Sequence, residues 1–264
     1  MRPHKIAVES LSKCFDSDTG EVLALDDINM AIETGEFVSI VGPSGCGKST
    51  LLYMLGGFIQ PTKGRLLADG VPITNPGVDR GVVFQDYALF PWLTVYENIA
   101  YGLQMKGLPV SEQRETVARY IELIGLSGFE HRFPRELSGG MKQRVALART
   151  FACGPDILLL DEPFGALDSQ TREIMQDELL RLWRTSGKTI LMVTHDVQEA
   201  VYLSTKVCVM SKRPGRVVRE FPVALDHSGD RESVVLSRAY TELYNEVWLA
   251  VRKEVLVPAG AESR

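Results

Sequence analysis

The sequence is poor in cysteine and lacks any segment of the kind that enters or crosses a membrane. Four cysteines are scattered over 264 residues, at positions 14, 46, 153 and 208, and no two of them form a C-x-x-C pair. This spacing argues against a disulfide framework or a cysteine-rich zinc module, so we expect free thiols in a reducing compartment. No apolar run approaches the roughly 18 residues of a membrane span, and the first residues lack the apolar core of a signal peptide. We therefore expect a cytoplasmic chain whose contact with a membrane is peripheral.

Basic residues are also too few to indicate a nucleic-acid partner. The chain has 29 lysines and arginines against 34 aspartates and glutamates, a net charge of −5, and no basic run. Binding to nucleic acid or to anionic lipid is therefore not expected. Internal repeats and low-complexity tracts are absent as well. With 45% hydrophobic residues, the chain can bury the core of one large α/β domain or of two small ones.

A phosphate-binding loop is the main motif that is present. Residues 42–50 read GPSGCGKST and fill every fixed position of G-x-x-x-x-G-K-[ST]. The apolar run 36–41 before the loop is typical of a buried parallel strand, and residues 51–55 after it suit the first turns of a helix. Glycines let successive N–H groups turn inward at a helix N-terminus, where a polyphosphate binds. The predicted nucleotide-binding residues are Gly42, Pro43, Ser44, Gly45, Cys46, Gly47, Lys48, Ser49 and Thr50.

Two residues of this loop have more specific chemistry. Lys48 supplies a point charge for the β- and γ-phosphates, and the Ser49 hydroxyl is placed to ligate Mg²⁺. Cys46 lies next to Lys48 and to a helix N-terminus, an environment that acidifies thiols. We therefore expect a reactive Cys46 whose alkylation blocks nucleotide binding.

Two adjacent carboxylates end a second apolar strand, residues 157–160. Asp161 is placed to hold Mg²⁺ through water, and Glu162 to accept a proton from the water that attacks the γ-phosphate. Apolar strands that end in a single acid are common, whereas two acids in a chain with a phosphate loop are much rarer. The pair therefore predicts a hydrolytic site.

Two further polar residues follow predicted buried strands. His195 comes after the strand 189–194, where it is able to bond the γ-phosphate or to position the water. Gln85 comes after the strand 81–84, and its carboxamide is able to reach Mg²⁺ or the attacking water. Ligands bind at the carboxyl ends of strands in such sheets, so both residues are site candidates.

Helices dominate between residues 88 and 152. Thr94 and Glu97 have the spacing of a capping box, which predicts a helix through about residue 105, and a second helix is predicted over 111–124. Residues 138–140 stand at the N-terminus of another helix and form a second anion site, which suggests that the γ-phosphate is gripped from another subunit. The apolar stretch 89–93 is either an exposed docking patch or core of the helical lobe.

Local sequence patterns also predict the elements before and after these motifs. Residues 5–15 and 22–32 indicate an antiparallel β element around a turn at 16–20, and 65–73 indicates a short edge hairpin. Phe15 either stacks on an adenine or is a half-buried strand residue. Residues 207–210 are predicted as the last strand, followed by one helix at about 237–251 and a loose end from Pro258.

The motifs together resemble the ATP-binding subunit of an ABC transporter across nearly the whole chain. The matching segments, in order, are the loop 42–50, Gln85, the signature Leu137–Arg144 with its LSGG, the strand 157–162, the loop 164–168 and His195. LSGG is the specific element, because a phosphate loop alone fits kinases and GTPases equally well.

This resemblance implies a fold and a domain organisation. The fold class is α/β, with a P-loop NTPase (RecA-like) core, an antiparallel β subdomain and an inserted α-helical subdomain. Residues 1–264 form a single ABC ATPase domain. Residues 1–87 and 154–212 give the nucleotide-binding core with its β subdomain, 88–153 the helical subdomain with the signature, and 213–264 a C-terminal extension.

The resemblance also implies a site shared by two subunits. The cofactors are ATP and Mg²⁺, and each ATP lies between this chain and a second copy of it, or a homologous ATPase subunit. The implied roles are adenine stacking for Phe15, catalysis for Lys48, Glu162 and His195, Mg²⁺ binding for Ser49, Gln85 and Asp161, and contacts to the partner's ATP for Ser138, Gly139, Gly140 and Asp168.

The implied function is transport. Membrane permease subunits dock near Gln85 to Leu93, and a solute-binding protein takes part indirectly, at the cytoplasmic face of the cell membrane. Residues 84–99 and the segment Arg213–Arg216 are similar to the importer branch for nitrate, sulfonate, taurine and bicarbonate. Alternatives are an exporter or lipid-trafficking subunit, a soluble ABC ATPase, and a non-enzymatic scaffold. A soluble ABC ATPase usually has two modules or a long coiled coil, and a scaffold is expected to lack Glu162 or His195.

Overall fold

The computed structural model describes residues 4–17 and 20–256, which form two sheets and surrounding helices. The strands are β1 (Ile6–Ser17), β2 (Gly20–Ile32), β3 (Phe37–Val41), β4 (Lys63–Ala68), β5 (Val71–Pro72), β6 (Arg80–Val83), β7 (Ile157–Asp161), β8 (Thr189–Val193), β9 (Lys206–Met210) and β10 (Val217–Pro222). The helices are α1 (Lys48–Leu55), α2 (Val95–Met105), α3 (Val110–Leu123), α4 (Gly139–Ala152), α5 (Ser169–Ser186), α6 (Val197–Leu203), α7 (Arg231–Val235) and α8 (Arg238–Leu256), with a 3₁₀ turn at Pro134–Glu136.

The smaller sheet is antiparallel, with the strand order β2-β1-β4-β5. β1 pairs with β2 from Ile6 opposite Ile32 to Ser17 opposite Gly20, and β4 pairs with β5 as a short hairpin. The predicted antiparallel element and edge hairpin are therefore confirmed. Positions 18 and 19 of the predicted turn lie outside the described residues.

The larger sheet brings the predicted site residues to one edge. Its order is β10-β9-β3-β8-β7-β6, and the pairs from β9 through β6 are parallel. β3, β7 and β8 are buried at every residue, as expected for continuous apolar strands covered on both faces. Because parallel strands end on the same side, the phosphate loop after β3 lies near the residues that follow β6, β7 and β8.

The two faces of this sheet belong to different hydrophobic clusters. Leu158 and Leu160 of β7 join the cluster that includes buried side chains of α2 to α6 and of α8. Ile157 and Leu159, on the opposite face, join the cluster with α1 and the antiparallel sheet. The side-chain alternation of a strand thus places the sheet between two packed layers. No described helix is long and apolar enough to cross a bilayer.

The C-terminal part differs from the prediction. A further strand, β10, follows β9 and pairs with it antiparallel, so residues 207–210 are not the last strand. β10 lies at the sheet edge with Phe221 as its buried residue, which leaves too little apolar alternation to reveal it. The helix predicted at about 237–251 is confirmed as α8, and a short helix that was not predicted, α7, precedes it. The loose end predicted from Pro258 lies outside the described residues.

The start of α2 provides a stability test. Thr94 Oγ1 accepts from the Glu97 N–H (3.2 Å), and Glu97 Oε2 accepts from the Thr94 N–H (2.8 Å). We expect Thr94→Ala to lower the free energy of unfolding in urea by about 1 kcal/mol, because the first turn loses its cap. Thr185→Ala, inside α5, should change it by less than about 0.5 kcal/mol. Equal effects of the two substitutions would contradict this assignment.

Candidate nucleotide-hydrolysis site

The phosphate loop has the glycine geometry that the motif predicts. Gly45 and Gly47 have φ values of 74° and 99°, a left-handed region in which side chains are strained. A Cβ on Gly47 would lie 2.6 Å from Leu25 Cδ2, and one on Gly42 would lie 2.8 Å from the Met210 carbonyl oxygen. The loop therefore needs glycine both for its conformation and for its close approach to β2 and β9.

Lys48 is held at the centre of this loop. It is the first residue of α1 and is buried. Its Nζ donates to the carbonyl oxygens of Gly42 (2.9 Å) and Pro43 (3.1 Å). The loop thus orients a buried cation next to the N-terminus of α1, which favours bound anions.

A cleft of about 750 Å³ lies above the loop and brings together residues from both sheets. Phe15 borders the cleft, with 38% of its surface exposed and with Lys13 Nζ 4.9 Å from its ring centroid. Other residues around the cleft are Val22, Ala24, Ser44, Gly45, Gly47, Lys48, Ser49, Thr50, Gln85, Glu162, His195 and Arg213. An aromatic face, a phosphate loop and an acid–histidine pair therefore share one cleft.

Asp161 is the buried carboxylate of the site. It ends β7, and its Oδ1 accepts from Ser49 Oγ at 2.9 Å. Among the described residues, its buried Oδ2 has no hydrogen-bond partner. Burial raises the pKa of this carboxyl, and the nearby Tyr53 and Ser49 hydroxyls oppose part of that effect. A buried carboxylate flanked by hydroxyls fits a hard cation such as Mg²⁺, which prefers oxygen ligands.

Glu162 has a strained backbone and faces a histidine. Its φ is 47°, a conformation that non-glycine residues adopt mainly where surrounding structure imposes it, often at functional sites. Its N–H donates to the Val193 carbonyl (2.9 Å), and its own carbonyl accepts from Gln143 Nε2 (3.1 Å). Its Oε2 lies 3.2 Å from His195 Nδ1. These contacts fix the acid at the mouth of the cleft.

His195 and Gln85 complete the open side of the cleft. The His195 side chain is 68% exposed, and Gln85 is exposed after β6. Both also border a second cavity of about 320 Å³, together with Tyr87 and Gln143. The two side chains are thus free to meet a ligand from outside the chain.

The signature residues do not border the cleft of their own chain. Ser138 is the N-cap of α4, and its Oγ accepts from the Met141 N–H at 3.3 Å. Asp168 caps α5 by accepting from the Thr171 N–H at 3.0 Å, a bond that lowers the pKa of Asp168. The structure therefore separates the predicted partner-facing residues from the cleft residues.

The apolar segment 89–93 is partly packed and partly exposed. The Phe90 ring lies 4.6 Å from that of Tyr101 and 5.7 Å from that of Trp92, measured between centroids. Trp92 itself is 70% exposed. A groove of about 460 Å³ adjoins Phe90, Tyr101 and Met105. The two alternatives left by the sequence therefore each describe part of this segment.

Three cleft residues were missed by sequence reasoning: Val22, Ala24 and Arg213. The first two lie on β2, whose alternation gives no sign of a ligand. Arg213 follows β9, a strand parallel to β3, so its place at the carboxyl edge of the sheet was the available signal.

The predicted acidification of Cys46 is wrong. Its side chain is buried, at 1% exposure, and burial raises the pKa of the thiol although Lys48 Nζ lies 3.9 Å from Sγ. Cys46 belongs to the hydrophobic cluster under the loop and is not among the residues that line the cleft. Desolvation therefore outweighs the neighbouring charge.

Thiol labelling tests this correction. In the native protein at pH 8, we expect iodoacetamide to modify Cys46 much more slowly than the partly exposed Cys14, because the reactive thiolate is both rare and inaccessible. Peptide mass spectrometry gives both rates. In urea the two cysteines should react alike, and a native Cys46 that reacts as fast as Cys14 would overturn the prediction.

Known proteins resemble this chain over most of its length. The family described as ABC transporter matches residues 25–165. The nitrate import ATP-binding protein NrtD of Synechocystis sp. is 50% identical over 86% of this chain and 85% of its own length. The taurine import ATP-binding protein TauB of Burkholderia pseudomallei is 46% identical over 91% of this chain and 94% of its own.

Solved structures support the same relationship. The dimeric post-hydrolysis state of the ATP-binding cassette MJ0796, bound to ADP and Pi, is 34% identical, with a TM-score of 0.76 over 83% of this chain and 99% of that one. The fold-class prediction is thereby confirmed. By its sequence, its fold and its relatives, this chain is an ATPase that belongs to the ABC transporter family.

Proposed function

We propose that this chain is the ATP-hydrolysing subunit of an importer for a small anion, of the nitrate, sulfonate, taurine or bicarbonate type. The observation that carries the proposal is the Glu162–His195 pair, held 3.2 Å apart at the mouth of the phosphate-loop cleft. The import function and the class of solute are supported by the names of the nitrate and taurine import relatives.

Phe15 and the phosphate loop bind the nucleotide. Phe15 stacks on the adenine, a contact of about 1–3 kcal/mol. Lys48 and the loop N–H groups hold the β- and γ-phosphates. The exposed ring face and the buried lysine support these two roles.

The metal ligands proposed are Ser49, Asp161 and Gln85. The unpartnered Asp161 Oδ2 and the Ser49 hydroxyl beside it support Mg²⁺ at this position. When bound, Mg²⁺ supplies charge neutralisation for the phosphates.

Glu162 acts as the general base for the attacking water. Its carboxylate is partly exposed and is held by the contact to His195 Nδ1. His195 contacts the γ-phosphate and keeps Glu162 oriented, which is positioning of the kind that phosphoryl transfer depends on.

The complete site requires two chains. Ser138, Gly139, Gly140 and Asp168 contact the ATP of a second copy or of a homologous subunit. Their separation from their own cleft and the dimeric state of the solved relatives support this arrangement. Residues 88–153 then act as the helical subdomain that presents the signature, between core segments 1–87 and 154–212, with 213–264 as an extension.

The permease docks on the surface near Gln85 to Leu93. The exposed Trp92 and the adjoining groove support this site. The chain then works at the cytoplasmic face of the cell membrane, and a solute-binding protein participates through the permease.

Replacement of the base tests the catalytic assignment. We expect Glu162→Gln to slow ATP hydrolysis by at least about 100-fold, because the water loses its proton acceptor. ATP binding should persist, and light scattering in excess ATP should detect dimers. Glu173→Gln, an exposed change on α5, should hydrolyse normally. A variant at 162 that stays monomeric or hydrolyses normally would contradict the composite site.

Affinity purification from detergent-solubilised native membranes tests the transport function. The tagged chain should retain a multi-spanning protein, and Trp92→Glu should lose it because a charge enters the docking surface. Val71→Glu is the matched control, since Val71 is similarly exposed on β5. Recovery of soluble partners alone would remove the transport function and leave the hydrolytic site intact.

A further inference from the structure

The segment 211–216, between β9 and β10, is built onto the phosphate loop. A Cβ on Gly215 would lie 2.0 Å from the Cys46 carbonyl oxygen, so the two backbones are in direct contact. The Gly215 N–H donates to the Ala24 carbonyl (2.9 Å), and the Asp26 N–H donates to the Gly215 carbonyl (3.0 Å). This segment therefore joins β2 to the phosphate loop.

Side chains of the same segment lock its conformation. Ser211 Oγ accepts from the Arg216 N–H (2.9 Å) and donates to the Pro214 carbonyl (3.0 Å), while the Ser211 N–H donates to the Arg216 carbonyl (2.9 Å). Arg216 also forms an ion pair with Asp26 of β2. The backbone of Arg213, inside this closed loop, is therefore fixed relative to the cleft.

The Arg213 side chain borders the cleft without a partner of its own. It is exposed and lies among the residues that line the cleft. Within residues 4–17 and 20–256, its guanidinium makes no hydrogen bond and no ion pair. The other cation of the segment, Arg216, is neutralised by Asp26. Arg213 thus contributes an uncompensated positive charge on a preorganised loop.

The contacts of this segment place the charge on the β2 side of the cleft. Gly215 forms a parallel bridge with Leu25, and Val22 and Ala24 of the same strand border the cleft together with Arg213. Residue 22 pairs with Phe15 across the hairpin. Lys48 is instead held inside the phosphate loop, on the carbonyls of residues 42 and 43. The two cations therefore approach a ligand in the cleft from different segments of the chain.

We infer that Arg213 is a nucleotide-binding residue that contacts the α-phosphate of ATP, where the ribose joins the phosphates. The α-phosphate is the anionic group closest to the base, and a guanidinium forms paired, charge-assisted hydrogen bonds with phosphate oxygens. The inference rests on the proposed function, since both need ATP to lie between Phe15 and Lys48.

Equilibrium binding of ATP and ADP, in EDTA to prevent hydrolysis, tests this role by calorimetry. We expect Arg213→Gln to weaken the binding of ATP and of ADP by a similar factor of about ten, because both nucleotides have the α-phosphate. The affinity of Arg213→Lys should lie between those of Arg213→Gln and the native chain, because lysine keeps the positive charge but lacks the planar guanidinium. Unchanged thermal unfolding would show that the fold is intact.

Two controls separate the possible results. Lys212→Gln removes the same charge one residue away, from an exposed side chain outside the cleft lining, and should change affinity less than about twofold. Lys48→Ala should abolish binding of both nucleotides.

Three results would overturn the inference. Arg213→Gln would keep an affinity within twofold of the native chain, would lose no more affinity than Lys212→Gln, or would lose affinity for ATP but not for ADP. Retained binding in Lys48→Ala would instead overturn the proposed site.

Discussion

The parallel alignment of β6, β7, β8 and β3 is the constraint on which the site depends. Each strand is short and apolar, and its hydrogen-bond register with its neighbour fixes where the next polar residue emerges. The phosphate loop, Asp161 and the residues after β8 and β6 are far apart in sequence, yet they meet because parallel strands end at one edge. Burial of both faces of the sheet, in two separate clusters, holds that edge rigid enough to position charged groups.

Close backbone packing is the second requirement. The phosphate loop is pressed between β2 and the segment after β9, and Gly42, Gly47 and Gly215 each lie where a Cβ would collide with a neighbour. The same packing buries Cys46 beneath the loop, which explains why its thiol is not acidified although Lys48 is adjacent. Glycine at these positions therefore allows close contact between neighbouring segments and, at Gly47, a left-handed turn as well. The antiparallel sheet contributes Phe15, Val22 and Ala24 to the lining of the cleft.

The sequence predicted features that depend on local chemistry. The glycines of the phosphate loop, the Thr94–Glu97 capping box and the helix N-terminus at residues 138–140 follow from short spacings, and the strands of the central sheet follow from apolar runs. The missed features depend on distant contacts. β10 is a strand because it pairs with β9, Arg213 borders the cleft because Gly215 bonds to β2, and the pKa of Cys46 is set by burial. Only Arg213 has a local signal, its place just after a strand of the parallel sheet, while β10 and the burial of Cys46 have none within a few residues.

The arrangement of α4 explains why one chain is an incomplete enzyme under the proposed function. Ser138 satisfies the Met141 N–H, while the N–H groups of Gly139 and Gly140 have no acceptor among the described residues. Such free donors at a helix N-terminus favour an anion, and the cleft of the same chain does not contain them. Under the proposed function, the phosphate that they bind belongs to another subunit. Since the γ-phosphate distinguishes ATP from ADP, it would hold two chains together before hydrolysis and release them afterwards. Under the same proposal, hydrolysis would change the distance between two subunits, a motion that a membrane partner would be able to use.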